Sequence, residues 1–326
     1  MALIRRRQLL IAAGAAGVAF AARAQETARV YRIGFVSPFA PAPSIKAFRQ
    51  GLRELGYVEG KNLVLEQRYA EGKIERLPGL FAELLRLKID VLMVGSTPGA
   101  IAAKKEVTTI PVVFGGVWDP VGAGIVASLA RPGGNITGAS NAVGGLGFTG
   151  KCLELLKEVA PGLSLVAVLL GSHPLSAQFA GEVQLAARPL NLKSEVFDAT
   201  SAVGLEKALA AIGASGAHGI FVAPDPFLTA SSDAIARFAL SRRLPALHFS
   251  SRYADAGGLM SYGASLDDSY RRAARHVDRI LKGANPAELP VDQPTTFELV
   301  INLKSARAMG LTIPRSMLLR ADRVIE

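Results

Sequence analysis

One carboxylate in this chain is held between two prolines. Asp225 stands between Pro224 and Pro226, after an apolar run over residues 218–223 and ahead of a helical pattern over 229–242. Proline fixes its own φ and restricts the residue before it, so the carboxylate sits on a stiff turn. Two chemistries suit it there: capping the helix that follows, or pairing with a ligand ammonium. After the next apolar run, 245–249, Ser250 and Tyr253 offer hydrogen bonds and an aromatic face.

A second group of residues suits an acid. Gly95-Ser96-Thr97-Pro98-Gly99 follows the run 90–95 and opens a helix. The hydroxyls of Ser96 and Thr97 and the unpaired amides of a helix start favour a carboxylate, and the same residues would cap the helix. Ser37 holds the matching place after the first apolar run, and Gly116 and Trp118 follow the fourth. Trp118 either walls a cleft or packs in a core. A carboxylate on one side and an ammonium on the other would suit a zwitterion.

Such residues need strands whose carboxyl ends converge. Apolar runs suited to strands lie at 30–36, 62–69, 90–95, 111–115 and 135–140, with amphipathic helical patterns over 44–55 and 75–87 between them. After a helix over 149–160 the alternation resumes, with strands at 164–170, 192–197, 218–223, 245–249 and 258–262. Strand and helix in alternation predict parallel β-α-β units, and open α/β sheets place ligand groups at the strands' carboxyl ends. The expected fold class is therefore α/β, with two doubly wound parallel-sheet lobes joined by a multi-strand hinge, a clamshell with its ligand in the cleft. The expected boundaries are 25–141 for the first lobe, 142–263 for the second, and 264–326 for a return to the first lobe and the hinge. Crossovers are expected at 142–149, 263–265 and 293–302.

Residues 1–24 read as an export signal. Arg5-Arg6-Arg7 precedes a short apolar run, and Ala22-Arg23-Ala24 offers a cleavage site. Arg6-Arg7-Gln8-Leu9-Leu10 fits a twin-arginine signal, an ordinary secretory signal being the alternative. The expected location is the periplasm, the mature chain being soluble and without stable membrane insertion. Four of the ten net positive charges leave with this segment, and the rest are spread over helical patterns without interleaved aromatics, which argues against nucleic acid. The single cysteine, Cys152, falls in an apolar helical pattern and reads as core.

Catalytic and cofactor signals are weak. Gly145-x-Gly147-x-x-Gly150 matches a dinucleotide fingerprint, yet it does not directly follow a strand, and no acidic residue ends the next one. The four histidines lack metal-ligand spacing, and there is no P-loop or G-x-S-x-G elbow. No enzyme activity, metal or cofactor is expected.

Four segments carry a resemblance. Residues 51–62 (GLRELGYVEGKN), 129–138 (LARPGGNITG), 257–263 (GGLMSYG) and 296–304 (TFELVINLK) are similar, in order and over nearly all of the mature chain, to the ABC-transporter substrate-binding proteins that include tryptophan and phenylalanine binders. The resemblance implies a type I periplasmic-binding fold with three crossovers and a binder of a small-molecule ligand; an inner-membrane ABC permease is the expected partner, and the chain is expected to be a monomer. A sensory subunit outside the cytoplasm is the alternative function. The sequence departs from its relatives at Gly171-Ser172-His173-Pro174, where an Asn-Pro-rich turn is usual. Ser172 and His173 join the candidate ligand contacts there, and ligand identity is not carried over.

Overall fold

The computed structural model describes residues 29–39, 44–141 and 146–326. The expected export segment, 1–24, and residues 142–145 of the first expected crossover lie outside the described residues.

The first lobe is built from β1 (Tyr31–Ser37), α1 (Ile45–Glu54), β2 (Leu63–Tyr69), α2 (Leu77–Arg86), β3 (Val91–Val94), α3 (Thr97–Glu106), β4 (Val112–Val117) and β5 (Ile136–Ser140). Its sheet is parallel throughout, in the order β2-β1-β3-β4-β5. All four residues of β3 are buried, as a strand covered on both faces requires. On one face Leu77, Leu80, Phe81 and Leu84 of α2 pack with Ala100 and Ala103 of α3.

The second lobe continues with α4 (Leu146–Val159), β6 (Leu165–Leu170), α5 (Ser176–Ala187), β7 (Lys193–Asp198), α6 (Ala202–Ala214), β8 (Gly219–Val222), α7 (Pro226–Ala230), α8 (Ser232–Arg242), β9 (Ala246–His248), α9 (Ser251–Asp255) and β10 (Met260–Gly263). The order β7-β6-β8-β9-β10 repeats that of the first sheet. In each lobe the order reverses beside the first strand, and that reversal opens a crevice at the carboxyl ends. The helix expected over 229–242 is two helices, α7 and α8, meeting at Ser231.

The final segment divides between the lobes. α10 (Leu266–Leu281) returns to the first lobe and covers the second face of its sheet, where Tyr270, Ala273, Ala274, Val277 and Ile280 pack with Phe35 and with Phe48 and Leu52 of α1. Asp292 still bridges to Ala139 of β5. The chain then leaves. β11 (Glu298–Asn302) pairs antiparallel with β10, Met260 opposite Ile301, and after α11 (Leu303–Met309) and α12 (Arg315–Arg320), β12 (Arg323–Ile325) pairs parallel with β11. Residues 298–326 therefore extend the second sheet, correcting the expectation that 264–326 stays with the first lobe and the hinge. The physical reason is the buried run Leu299-Val300-Ile301, which covers the otherwise open edge of β10.

No helix among the described residues is long and apolar enough to cross a membrane.

Candidate functional site

A cavity of about 400 Å³ lies where the carboxyl ends of the two sheets face each other. Its size is within the range of small-molecule sites. Ser37, Ser96, Thr97, Gly116 and Trp118 reach its wall from the first lobe, and His173 and Asp225 from the second. Seven of the ten residues singled out in the sequence thus meet around one space.

Some of these residues are held by bonds to near neighbours in the chain and others by contacts from distant segments. Ser96 caps α3, its Oγ accepting the Gly99 amide at 3.0 Å. Thr97 Oγ1 accepts the Trp118 amide at 3.0 Å, which ties the loop after β4 to the start of α3. The Gly116 amide donates to Ser269 Oγ at 2.9 Å, and Ser37 Oγ donates to the Phe39 carbonyl at 3.3 Å. Trp118 is almost fully buried, and its indole is surrounded edge-on by Phe148, Phe179 and Phe249 of the second lobe, at centroid distances of 5.2, 5.6 and 6.0 Å. It both walls the cavity and packs.

Asp225 does the capping that its position allows. Its Oδ1 accepts the Phe227 and Leu228 amides at 2.7 and 2.9 Å, as the residue before α7 should. The carboxylate is 2 % exposed, and the Ser172 and His173 amides approach it from the turn after β6. Burial raises its pKa, and the amides of Leu228, Phe227, His173 and Ser172 pull the other way. A Cβ at Gly171 would collide with this carboxylate, so the turn after β6 needs glycine there. His173, on the same turn, accepts the Leu175 amide through Nδ1 at 3.1 Å. Burial lowers its pKa to about 4, so the ring is neutral at pH 7 with its proton on Nε2.

The other three expected contacts lie off this wall. Ser172 is exposed and lines an adjoining smaller space beside Ser201 and Phe227. Tyr253 is fully buried in the second lobe's core, stacked on His248 at 5.7 Å and pressed against Gly258, where a Cβ would strike its ring. Ser250 is the buried N-cap residue of α9, and its amide donates to His248 Nδ1 at 2.8 Å. Neither Ser250 nor Tyr253 is on the cavity wall. The short turn of α9 sends Tyr253 inward and Arg252 to the cleft.

The wall also holds residues that sequence reasoning passed over. Arg252 lines the cavity and reaches across the seam, its Nη2 donating to Ser44 Oγ at 2.9 Å. Burial pushes its pKa down, and Asp267, Tyr270 and Asp255 partly offset this. Asn141, at the end of the first sheet, lines the cavity 2 % exposed with both side-chain amide atoms unpartnered. Tyr270 arrives on α10, its hydroxyl donating to the Gly95 carbonyl at 3.2 Å. Arg252 stood inside a segment already singled out, and a cation just past a strand's carboxyl end was the available signal. Ser44, Asn141 and Tyr270 carry no local mark.

The chain matches the family model described as ABC transporter substrate binding protein over residues 33–325. It belongs to that family. Among solved structures, it is similar to the ABC domain in complex with L-Trp from Streptococcus pneumoniae, with 26% identity, a TM-score of 0.83, and coverage of 91% of this chain and 100% of that one. A conserved domain protein from Vibrio cholerae gives 28% identity and a TM-score of 0.84 over the same shares. A tyrosine-binding protein of Clostridioides difficile is 23% identical over 291 residues, 85% of this chain and 80% of that protein. This substrate-binding protein therefore has the type I periplasmic-binding fold, as its two parallel-sheet lobes require. Proteins of this family bind small molecules and work with ABC permeases.

Proposed function

We propose that this chain is the periplasmic receptor of an ABC importer and that its lobes close on a small carboxylate-bearing ligand, an aromatic amino acid or a close relative of one. The observation that carries this reading is that the cavity wall bears both signs of charge: Asp225 and Asp233, and Arg252, with no carboxylate in ion-pair contact among the described residues, line the same space. A zwitterion answers both. The rings of Phe39, Trp118, Phe249 and Tyr270 give that space an aromatic wall suited to a flat side chain. The unpartnered amide of Asn141 asks for a further polar group, because a buried donor or acceptor left unmet costs about 1–3 kcal/mol. The ligands named for the relatives, L-Trp and tyrosine, fit this reading.

In this role the exported monomer, without residues 1–24, presents both lobes to an inner-membrane permease, uses no resident cofactor and performs no reaction. Ser37, Ser96, Thr97, Gly116, Trp118, His173 and Asp225 are its proposed ligand contacts, together with Asn141, Arg252 and Tyr270.

The test is a thermal-shift screen of residues 25–326 against amino acids, organic acids and sugars. A ligand at a hundred times its dissociation constant adds about 2.7 kcal/mol of stability. Stabilisation by aromatic amino acids supports the reading. Stabilisation by sugars alone overturns it.

A further inference from the structure

The start of α3 has little left with which to hold an acid. Pro98 has no amide, the Gly99 amide is taken by Ser96 Oγ at 3.0 Å, and the Ala100 amide by the Ser96 carbonyl at 2.9 Å. Thr97 Oγ1 accepts the Trp118 amide. Only the Thr97 amide remains uncommitted among the first four residues of the helix, so the anion site expected there is largely occupied by the fold itself.

The opposite lobe offers a stronger group. Arg252 carries five N–H donors in a planar fork, and its one hydrogen bond among the described residues goes to Ser44 Oγ, 208 residues away in the first lobe. Asp255, its neighbour on α9, is committed to Arg323 at 2.6 Å. Asp267 and Asp268 start α10 nearby; Asp267 acts on Arg252 without contact, and Asp268 is held by Arg272 at 2.8 Å. A part-buried guanidinium facing a cavity, with its nearest carboxylates engaged elsewhere or out of reach, matches a planar bidentate acid.

We propose that the ligand's carboxylate is gripped at the seam by the Arg252 guanidinium of the second lobe and the Ser44 hydroxyl of the first, making Arg252 the residue that selects acids over amines. This rests on the carboxylate-ligand reading and deepens it. The acid end then lies on the second lobe, reversing the assignment of the acid to the start of α3. The Arg252–Ser44 bond joins both lobes, so an acid held by the pair favours the closed form directly.

Isothermal titration of residues 25–326 tests this with L-tryptophan and L-tyrosine, their decarboxylated amines tryptamine and tyramine, and their deaminated acids indole-3-propionate and 3-(4-hydroxyphenyl)propionate. In Arg252→Gln the affinity for every acid should fall about a hundredfold or more, and that for the amines should not fall with it. Arg252→Lys should restore part of the loss, and Ser44→Ala should weaken acids about tenfold or less. Circular dichroism establishes that each variant is folded, and Ser44→Ala, a small change, remains informative if the arginine variants are not. Acid binding by a folded Arg252→Gln at wild-type affinity, or a wild type that prefers the amines, overturns this assignment alone. If no acid binds the wild type, the carboxylate-ligand reading falls and this assignment with it.

Discussion

The Trp118 indole meets the Phe179 ring edge-on, centroids 5.6 Å apart and planes at 81°, although Trp118 follows β4 of the first lobe and Phe179 lies on α5 of the second. The chain's one tryptophan is thus a reporter placed between the lobes. Ligand binding should shift its emission, and parting the lobes should move the emission to the red as the ring meets water. Trp118→Ala should lose about 3–5 kcal/mol in denaturant unfolding, and Trp118→Phe much less. An emission unaltered by a saturating ligand would show that the indole does not sense closure.

Capping and ligand contact at Asp225 can be separated. Asparagine caps helices as well as aspartate does, whereas alanine at such a position costs about 0.5–2 kcal/mol. Asp225→Asn should therefore melt close to wild type while binding amine-bearing ligands more weakly, and Asp225→Ala should lose both stability and binding. Equal ligand affinity in Asp225→Asn and wild type would leave only the cap.

Stability should fall as the pH drops from 6.5 towards 4. His173 has its pKa lowered by burial from 6.5 to about 4, and His248, in the second lobe's core, to about 3. Between these values the unfolded chain binds protons that the folded chain refuses. The stabilisation is complete above the unfolded pKa and is lost through this window, by about 3 kcal/mol for His173 alone. Asp225, with its pKa raised, works in the opposite direction, the folded state holding its proton more tightly as the pH falls. Melting temperatures of wild type and His173→Gln across this range should show a flatter fall in the variant.

Asn141 should trade stability against binding. Replacing its unpartnered amide by leucine removes a buried polar group with unmet bonds, so the ligand-free Asn141→Leu protein should gain about 1–3 kcal/mol if the side chain fits the space. Its ligand affinity should drop. A variant that is stabilised and still binds at wild-type strength would place Asn141 outside the ligand's reach.

The architecture was legible because buried parallel strands announce themselves. Val91-Leu92-Met93-Val94 has no polar face and must be covered on both sides. Caps were legible as well, since Ser96 and Asp225 bond within three residues of themselves. What stayed hidden depends on the phase of very short elements and on distance along the chain. α9 is five residues long, too short for periodicity to say whether Arg252 or Tyr253 faces the cleft. Gly258 marks the answer only once the fold is known, and Gly258→Ala should destabilise the protein by about 1–3 kcal/mol through overpacking against Tyr253. Ser44 and Tyr270 reach the cavity from segments more than two hundred residues apart, a proximity that no local pattern encodes.

The return of α10 to the first lobe fixes an order of assembly during synthesis. β1 to β5 have all been made once Ser140 has left the ribosome, yet Tyr270, Ala273, Ala274, Val277 and Ile280, which cover one face of that sheet, follow more than a hundred residues later. A chain stopped at Gly263 would hold five paired strands with Phe35, Val91 and Met93 only half covered by α1. The first lobe is therefore not finished when its last strand is made, and until residue 281 emerges its bare apolar face is a surface for holding factors or for aggregation.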